Sequence, residues 1–379
     1  MSKIESKVSI LKTCPETVLK DYQDIMHLAE YDKIISHENK TILKLNLSWT
    51  LFYPACSTPP WQLEGVLKTM QNDTYQDVVA VENQTVVTHP WKGAYFNKWL
   101  PLLEKYKRKF QPLTDVEWTV YEPKSEMMVM NEIFGQVLVP KMFYGNNIIH
   151  FPTMKTHGHT TTTGSMKNAF GGLIPKYRHH AHKKIHEVLV DLLAIQKEIH
   201  PGIFSVMDGC VCGNGAGPRT MDPYTGNILL ASGDSVAIDA LAAKIMGFDP
   251  LKIDYIKMAH DKGLGMGDVD QIEVVGMDKS DLENLNFRFQ VNKSPVIKWD
   301  QRLRKKTMNT KWLHNLLFNS PIFKTFIFAS GFYHDRLWYP TTGKKNIEQF
   351  KATGWGQLYE NYKYGELPEF KEVKEWNPY

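Results

Sequence analysis

The sequence predicts a mixed α/β fold, with a largely parallel sheet, flanking helices and an aromatic-rich C-terminal extension. Three observations predict it. Residues 42–83 read as strand, Pro-rich loop, helix and strand, the opening of a βαβ alternation. Residues 146–217 repeat that order: a buried strand (NNIIHFP), a polar loop, a helix, a second strand (PGIFSVMDG) and a Gly-rich loop. From about Pro295 the composition shifts towards Trp, Tyr and Phe, with a basic cluster at 302–306, dividing the chain into a core over 1–294 and an extension over 295–379.

Each element has its own signal. Residues 8–11 suit a short strand and 17–29 an amphipathic helix. ILKLNL (42–47) alternates as a strand does, SWTLFYPACSTPPWQ is the loop after it, 62–70 is helical and DVVAVEN (77–83) is a buried strand ending in Glu82 and Asn83. Residues 91–110 are expected to be helical, and WTVYEP and GQVLVP to be short strands. The helix over 182–199 places Ile185, Leu189, Leu192, Leu193 and Ile195 on an apolar face. NILLASG is another strand, 234–246 an Ala-rich helix closed by Gly247, 254–260 a further helix and QIEVVG a last strand. In the extension, two short helices are expected to break near Pro321.

Composition narrows the function classes. The 379 residues are 42% hydrophobic and 23% charged, as in ordinary globular proteins. A net charge of +4 is too mild to argue for nucleic acid. The sequence shows no basic start followed by an apolar stretch and no uninterrupted apolar run of bilayer length, so no transmembrane segment is expected and the expected location is cytoplasmic. Four cysteines at 14, 56, 210 and 212 are too few and too unevenly placed for a disulfide scaffold.

If the strands at 147–152 and 203–208 are parallel neighbours, both following loops open at one carboxyl edge, where ligands of α/β sheets collect. The first loop, KTHGHTTTTGSMKN, gathers Lys155, His157, Thr160, Thr163, Lys167 and Asn168 around a turn leading into a helix. Hydroxyls, ammonium groups and helix-start N–H groups suit a carboxylate or phosphate, with Lys155 or His157 as acid or base. The threonines equally suit helix capping. The second loop follows Asp208, placed like a catalytic carboxylate, and offers Gly213, Asn214, Gly215 and Gly217 to a ligand. It lacks the dinucleotide pattern, because Pro218 and Arg219 stand where a helix would begin.

Metal readings rest on two groups. In YRHHAHKKIH, His182 and His186 are four apart and would share a helix face; a solvated basic helix start explains them equally. Cys56, Cys210 and Cys212 could converge on a metal ion or iron–sulfur cluster. Asp234 reads as a helix cap that could also face the crevice, with Asp239 further along the same helix.

The run KTH…T…KN.FGG, then VMDG…GNGAGP, then LLASGDSVAIDALAAKIMGF resembles the DUF362 family, most strongly over 154–248. Lys44 and Asn46 of ILKLNL match that family's KPN strand, with Leu45 in place of Pro. The resemblance implies a mixed α/β fold, with a more distant similarity to the nickel-pincer lactate racemase family that carries no residues over. Some members hold ferredoxin-type cysteine runs, which this sequence lacks.

Three functions stay open. The first is an enzyme moving a proton on a small anionic molecule, with or without a metal, through Lys155, His157, Lys167 and Asp208. In it Lys44, Asn46, Asn168 and the 213–217 loop hold the substrate. The second is a redox or iron–sulfur protein. The third is a non-catalytic binding or assembly protein acting through its extension, which could also carry a homo-oligomer contact.

Overall fold

Strand parity organises the molecule. In the strand Thr41–Lys44 (β2), Ile42 joins one apolar core and Leu43 the other, so opposite faces of one sheet are both covered. The computed structural model describes residues 6–370 except 86, 176–177, 308–309 and 319–322, and not the side chains of 178–180, 311, 314, 315, 323 and 324.

The strands are β1 (Lys7–Lys12), β2, β3 (Val78–Glu82), β4 (Lys109–Pro112), β5 (Trp118–Tyr121), β6 (Val137–Pro140), β7 (Asn147–His150), β8 (Thr153–His157), β9 (Thr161–Thr162), β10 (Ile203–Ala216), β11 (Thr220–Ser232) and β12 (Glu273–Val275). The main helices are α1 (Val18–Leu28), α2 (Tyr31–Ile34), α3 (Pro60–Asn72), α4 (Pro90–Phe96), α5 (Leu100–Lys105), α6 (Met130–Phe134), α7 (Ser165–Leu173), α8 (Ile185–Ile199), α9 (Ser235–Met246), α10 (Asp254–Asp261) and α11 (Lys279–Asn284). The extension adds α12 (Pro295–Thr307), α13 (Lys311–Phe318), α14 (Phe323–Gly331), α15 (Lys344–Lys351) and α16 (Gly354–Asn361).

The sheet has ten strands, in the order β12-β1-β11-β10-β7-β2-β3-β4, with β8 and β9 branching from β10. From β4 back to β10 the pairs are parallel; β11 is antiparallel to both its neighbours. The chain runs outwards from β2 to β3 to β4, then returns through the separate β5–β6 pair to β7, on the other side of β2. The order therefore reverses between β2 and β7, which makes the crevice outside their carboxyl ends the favoured ligand position of such a sheet. α1, α3 and α5 cover one face and α7 to α10 the other.

Two elements differ from expectation. Residues 91–110 form α4, α5 and β4 rather than one helix, because Lys98 adopts a left-handed φ of 61° and Pro101 has no N–H for a continuing helix. The expected Gly-rich loop at 213–217 is mostly strand: β10 runs to Ala216, pairing with β11 and with β8. Glycine is required there for close approach. A Cβ on Gly217 would lie 1.8 Å from the carbonyl oxygen of Thr156.

The end of the extension belongs to the core. Trp355 lies 5.2 Å from Trp61 and donates its indole N–H to Asn227, while Tyr359 stacks on Phe52 at 3.8 Å. Pro321 lies outside the described residues, between α13 and α14. Among the described residues no helix is long and apolar enough to cross a membrane.

Candidate functional site

A cleft of about 210 Å³ opens at the reversal point. Lys44 and Glu82 end β2 and β3 beneath it, Asn46 and Ser48 follow β2, and Thr153, Lys155 and His157 come from β8. α7 contributes Lys167, Asn168 and Phe170, and His182 and Pro218 complete the rim. Of the residues singled out in the sequence, Lys44, Asn46, Lys155, His157, Thr163, Lys167, Asn168 and His182 thus share one cavity.

At its floor lies a buried ion pair. Lys44 Nζ is 2.9 Å from both oxygens of Glu82 and also donates to the carbonyl of Leu45. The FGG sequence of α7 makes room for it, since a Cβ on Gly171 would meet Lys44 Nζ at 3.1 Å and Glu82 Oε1 at 3.5 Å. Asn168 ties the helix to the strand by donating to the carbonyl of Lys44 at 2.8 Å. Glu82 is the site residue that sequence reading missed; its signal was a carboxylate at the carboxyl end of a buried parallel strand.

Lys155 is 1% exposed, and its ammonium donates to the carbonyl of Cys56 at 2.8 Å and to the Thr153 hydroxyl. Burial, reinforced by the neighbouring charge of Lys167, brings its pKa down to about 7. Half of these amines are then neutral near pH 7. His157 accepts at Nδ1 from the backbone N–H groups of His159 (3.1 Å) and Thr160 (3.4 Å). That fixes the proton on Nε2, and burial, with the positive charge of Lys167, holds the ring well below its usual pKa. His157 is therefore a neutral N–H donor at the cleft wall. Burial also lowers His159, to about 4.

Other expected residues lie elsewhere. Asp208 faces the α1–α3 layer, accepting from Tyr22 at 2.7 Å, from Trp61 at 2.8 Å and from the Cys210 N–H at 3.2 Å; burial raises its pKa although these donors oppose the rise. Gly213 packs against Met221 and Gly217 against Thr156, Gly215 adopts a φ of 106°, and Asn214 accepts from the N–H of Gln290. Thr160 donates to the Thr162 carbonyl, and Thr163, although it lines the cleft, donates its hydroxyl hydrogen to the Thr153 carbonyl. The start of α7 is no anion site, because Asp239 accepts from the N–H groups of Ser165 (2.6 Å) and Met166 (3.1 Å). Asp234 caps α9 through Val236 and Ala237 and lies away from the cleft.

The metal readings separate in the same way. α8 begins at Ile185, so His182 and His186 do not share a helix face: His182 lies beside His159, while His186 accepts from the N–H of Tyr255. Cys56 and Cys210 join the α1–α3 core and Cys212 the opposite one, so the three sulfurs do not converge. Burial pushes the Cys56 thiol up to about 12 and raises the other two. Among the described residues no three His, Cys, Asp or Glu side chains are grouped to hold a metal ion.

No solved structure matches the chain. A thylakoid-associated protein of Synechocystis sp. is 32% identical over 126 residues, which cover 31% of this chain and 37% of that protein. The chain thus spans well under half of this relative's length. The family profile described as a domain of unknown function, DUF362, matches residues 41–244, more than half of the sequence, including the βαβ unit, the cleft and the β10–β11 hairpin. The chain belongs to the DUF362 family.

Proposed function

We propose that the cleft binds a small carboxylate- or phosphate-bearing molecule and moves a proton on it, with Lys155 as the acid–base group. The observation that carries this reading is the buried Lys155 amine, poised at about pKa 7 in a crevice where the sheet order reverses. Lys167 supplies positive charge at the rim, and the Nε2–H of His157 supplies a neutral donor. A neutral lysine abstracts a proton from carbon or oxygen and returns it as ammonium, while His157 Nε2–H supports the developing negative oxygen. Glu82 holds Lys44 on both oxygens, so Lys44 contributes shape to the floor more than charge.

A thermal-shift screen of small carboxylates and phosphates on the full chain tests binding. Ligands that raise the melting temperature of the wild type and not of Lys167→Met or Lys155→Met are expected. Hits are then incubated in deuterium oxide and analysed by mass spectrometry for exchange that Lys155→Met abolishes. Absence of any stabilising anion, or equal stabilisation of all three proteins, overturns the reading.

A further inference from the structure

The extension distributes charge unlike the rest of the chain. Residues 293–345 contain eleven Lys and Arg against two Asp and Glu, a net +9, whereas the whole protein carries +4 and the remainder is therefore −5. This basic segment is built from short helices. Some rings pair within the extension: Trp299, itself 48% exposed, lies edge-on to Phe326 at 5.1 Å, and the guanidinium of Arg304 sits 4.2 Å over Phe318. A second set faces out, with Trp312 69%, Phe328 74%, Phe332 49% and Leu337 50% exposed. In the sheet domain the rings of Trp49, Trp61, Trp99 and Phe143 are instead buried.

We propose that α12 to α14 form a docking surface for an anionic membrane. Short helices rich in exposed Trp and Phe, beside clustered Lys and Arg, match a bilayer interface in both respects: rings enter the headgroup boundary and ammonium groups meet lipid phosphate and carboxylate. The excess positive charge selects this occupant over a second copy, which would set a basic surface against the same basic surface. None of these helices is long enough to cross, so the contact is peripheral. The surface is joined to the cleft rim, since Gln301 of α12 donates to the Gly158 carbonyl at 3.1 Å and contacts His159.

Co-sedimentation of the full chain with vesicles tests the surface. Retention is expected on equal parts phosphatidylcholine and phosphatidylserine, not on phosphatidylcholine alone, and is expected to fall with added salt. K305Q/K306Q is expected to weaken binding about twenty-fold, at roughly fivefold per neutralised lysine. W312A/F328A is expected to weaken it about tenfold while leaving the circular dichroism spectrum unchanged, because both side chains are exposed. The proposal is overturned if neither vesicle retains the protein or both retain it equally. It is also overturned if these substitutions abolish self-association or RNA binding while vesicle binding is absent or unaltered.

Discussion

Glu82 and Asp208 each stand near the carboxyl end of a buried parallel pairing, and each is almost fully hidden from solvent. Their surroundings differ. Glu82 meets α7, where two glycines leave space for Lys44 and the cleft. Asp208 projects into the layer of α1 and α3, where Tyr22, Trp61 and the Cys210 N–H occupy its oxygens. One carboxylate is neutralised by a cation beside a cavity; the other is a hydrogen-bonded knot between packed layers. Neither position along a strand nor side-chain parity distinguishes them, because Val78 and Ala80, in step with Glu82, join the same core as Phe204 and Val206, in step with Asp208. The partners at each strand end do.

The largest separation between the two regions is expected from Lys155→Met, which should abolish proton exchange, a loss of at least about 100-fold, while the protein stays folded. Its stability effect has a defined sign. The folded pKa of about 7 lies below the unfolded value of 10.5, so the unfolded chain binds the extra proton between those limits. Wild-type stability should therefore rise with pH relative to Lys155→Met from about pH 7 to 10.5, by up to about 1.4 kcal/mol per unit, in urea titrations. Proton exchange should likewise increase as pH rises through about 7.

Lys44→Met is next, at about 3–5 kcal/mol of lost stability, because it strands the Glu82 carboxylate. The pair with Glu82→Leu should recover most of that loss; equal losses in single and double variants would mean the two side chains are not coupled. Asp208→Ala should cost about 3 kcal/mol by leaving the Tyr22 hydroxyl and Trp61 N–H without an acceptor, yet the folded fraction should bind anions as the wild type does. Loss of binding there would erase the contrast between the two carboxylates. Asp234→Ala removes the cap of α9 together with the acceptor of the Ser6 hydroxyl and the Met266 N–H, about 2 kcal/mol in the same titration, with no effect on the cleft.

Much of this was legible beforehand. Alternation and turn residues marked β2, α3, β3, β7 and α9, and the polar run after β7 named most of the side chains that line the cleft. What escaped had longer-range causes. GNGAG reads as a loop because glycine disfavours strands, and its partners β11 and β8, with Thr156 pressing on Gly217, hold it extended. Glu82 looked like a strand end because its partner lies 38 residues away. His182 and His186 looked like one face because no capping residue marks the start of α8 at Ile185.

The cleft walls come from Lys44, Glu82, Lys155, Lys167 and Pro218, positions far apart in the chain that meet only when the strand order reverses. Contacts of such long sequence separation are slow to form, since large loops must close before any of them is made. Helices and local strand pairs can assemble while this cavity is still absent. An anion that fits it recognises only molecules whose folding is complete, and by mass action draws the population towards them.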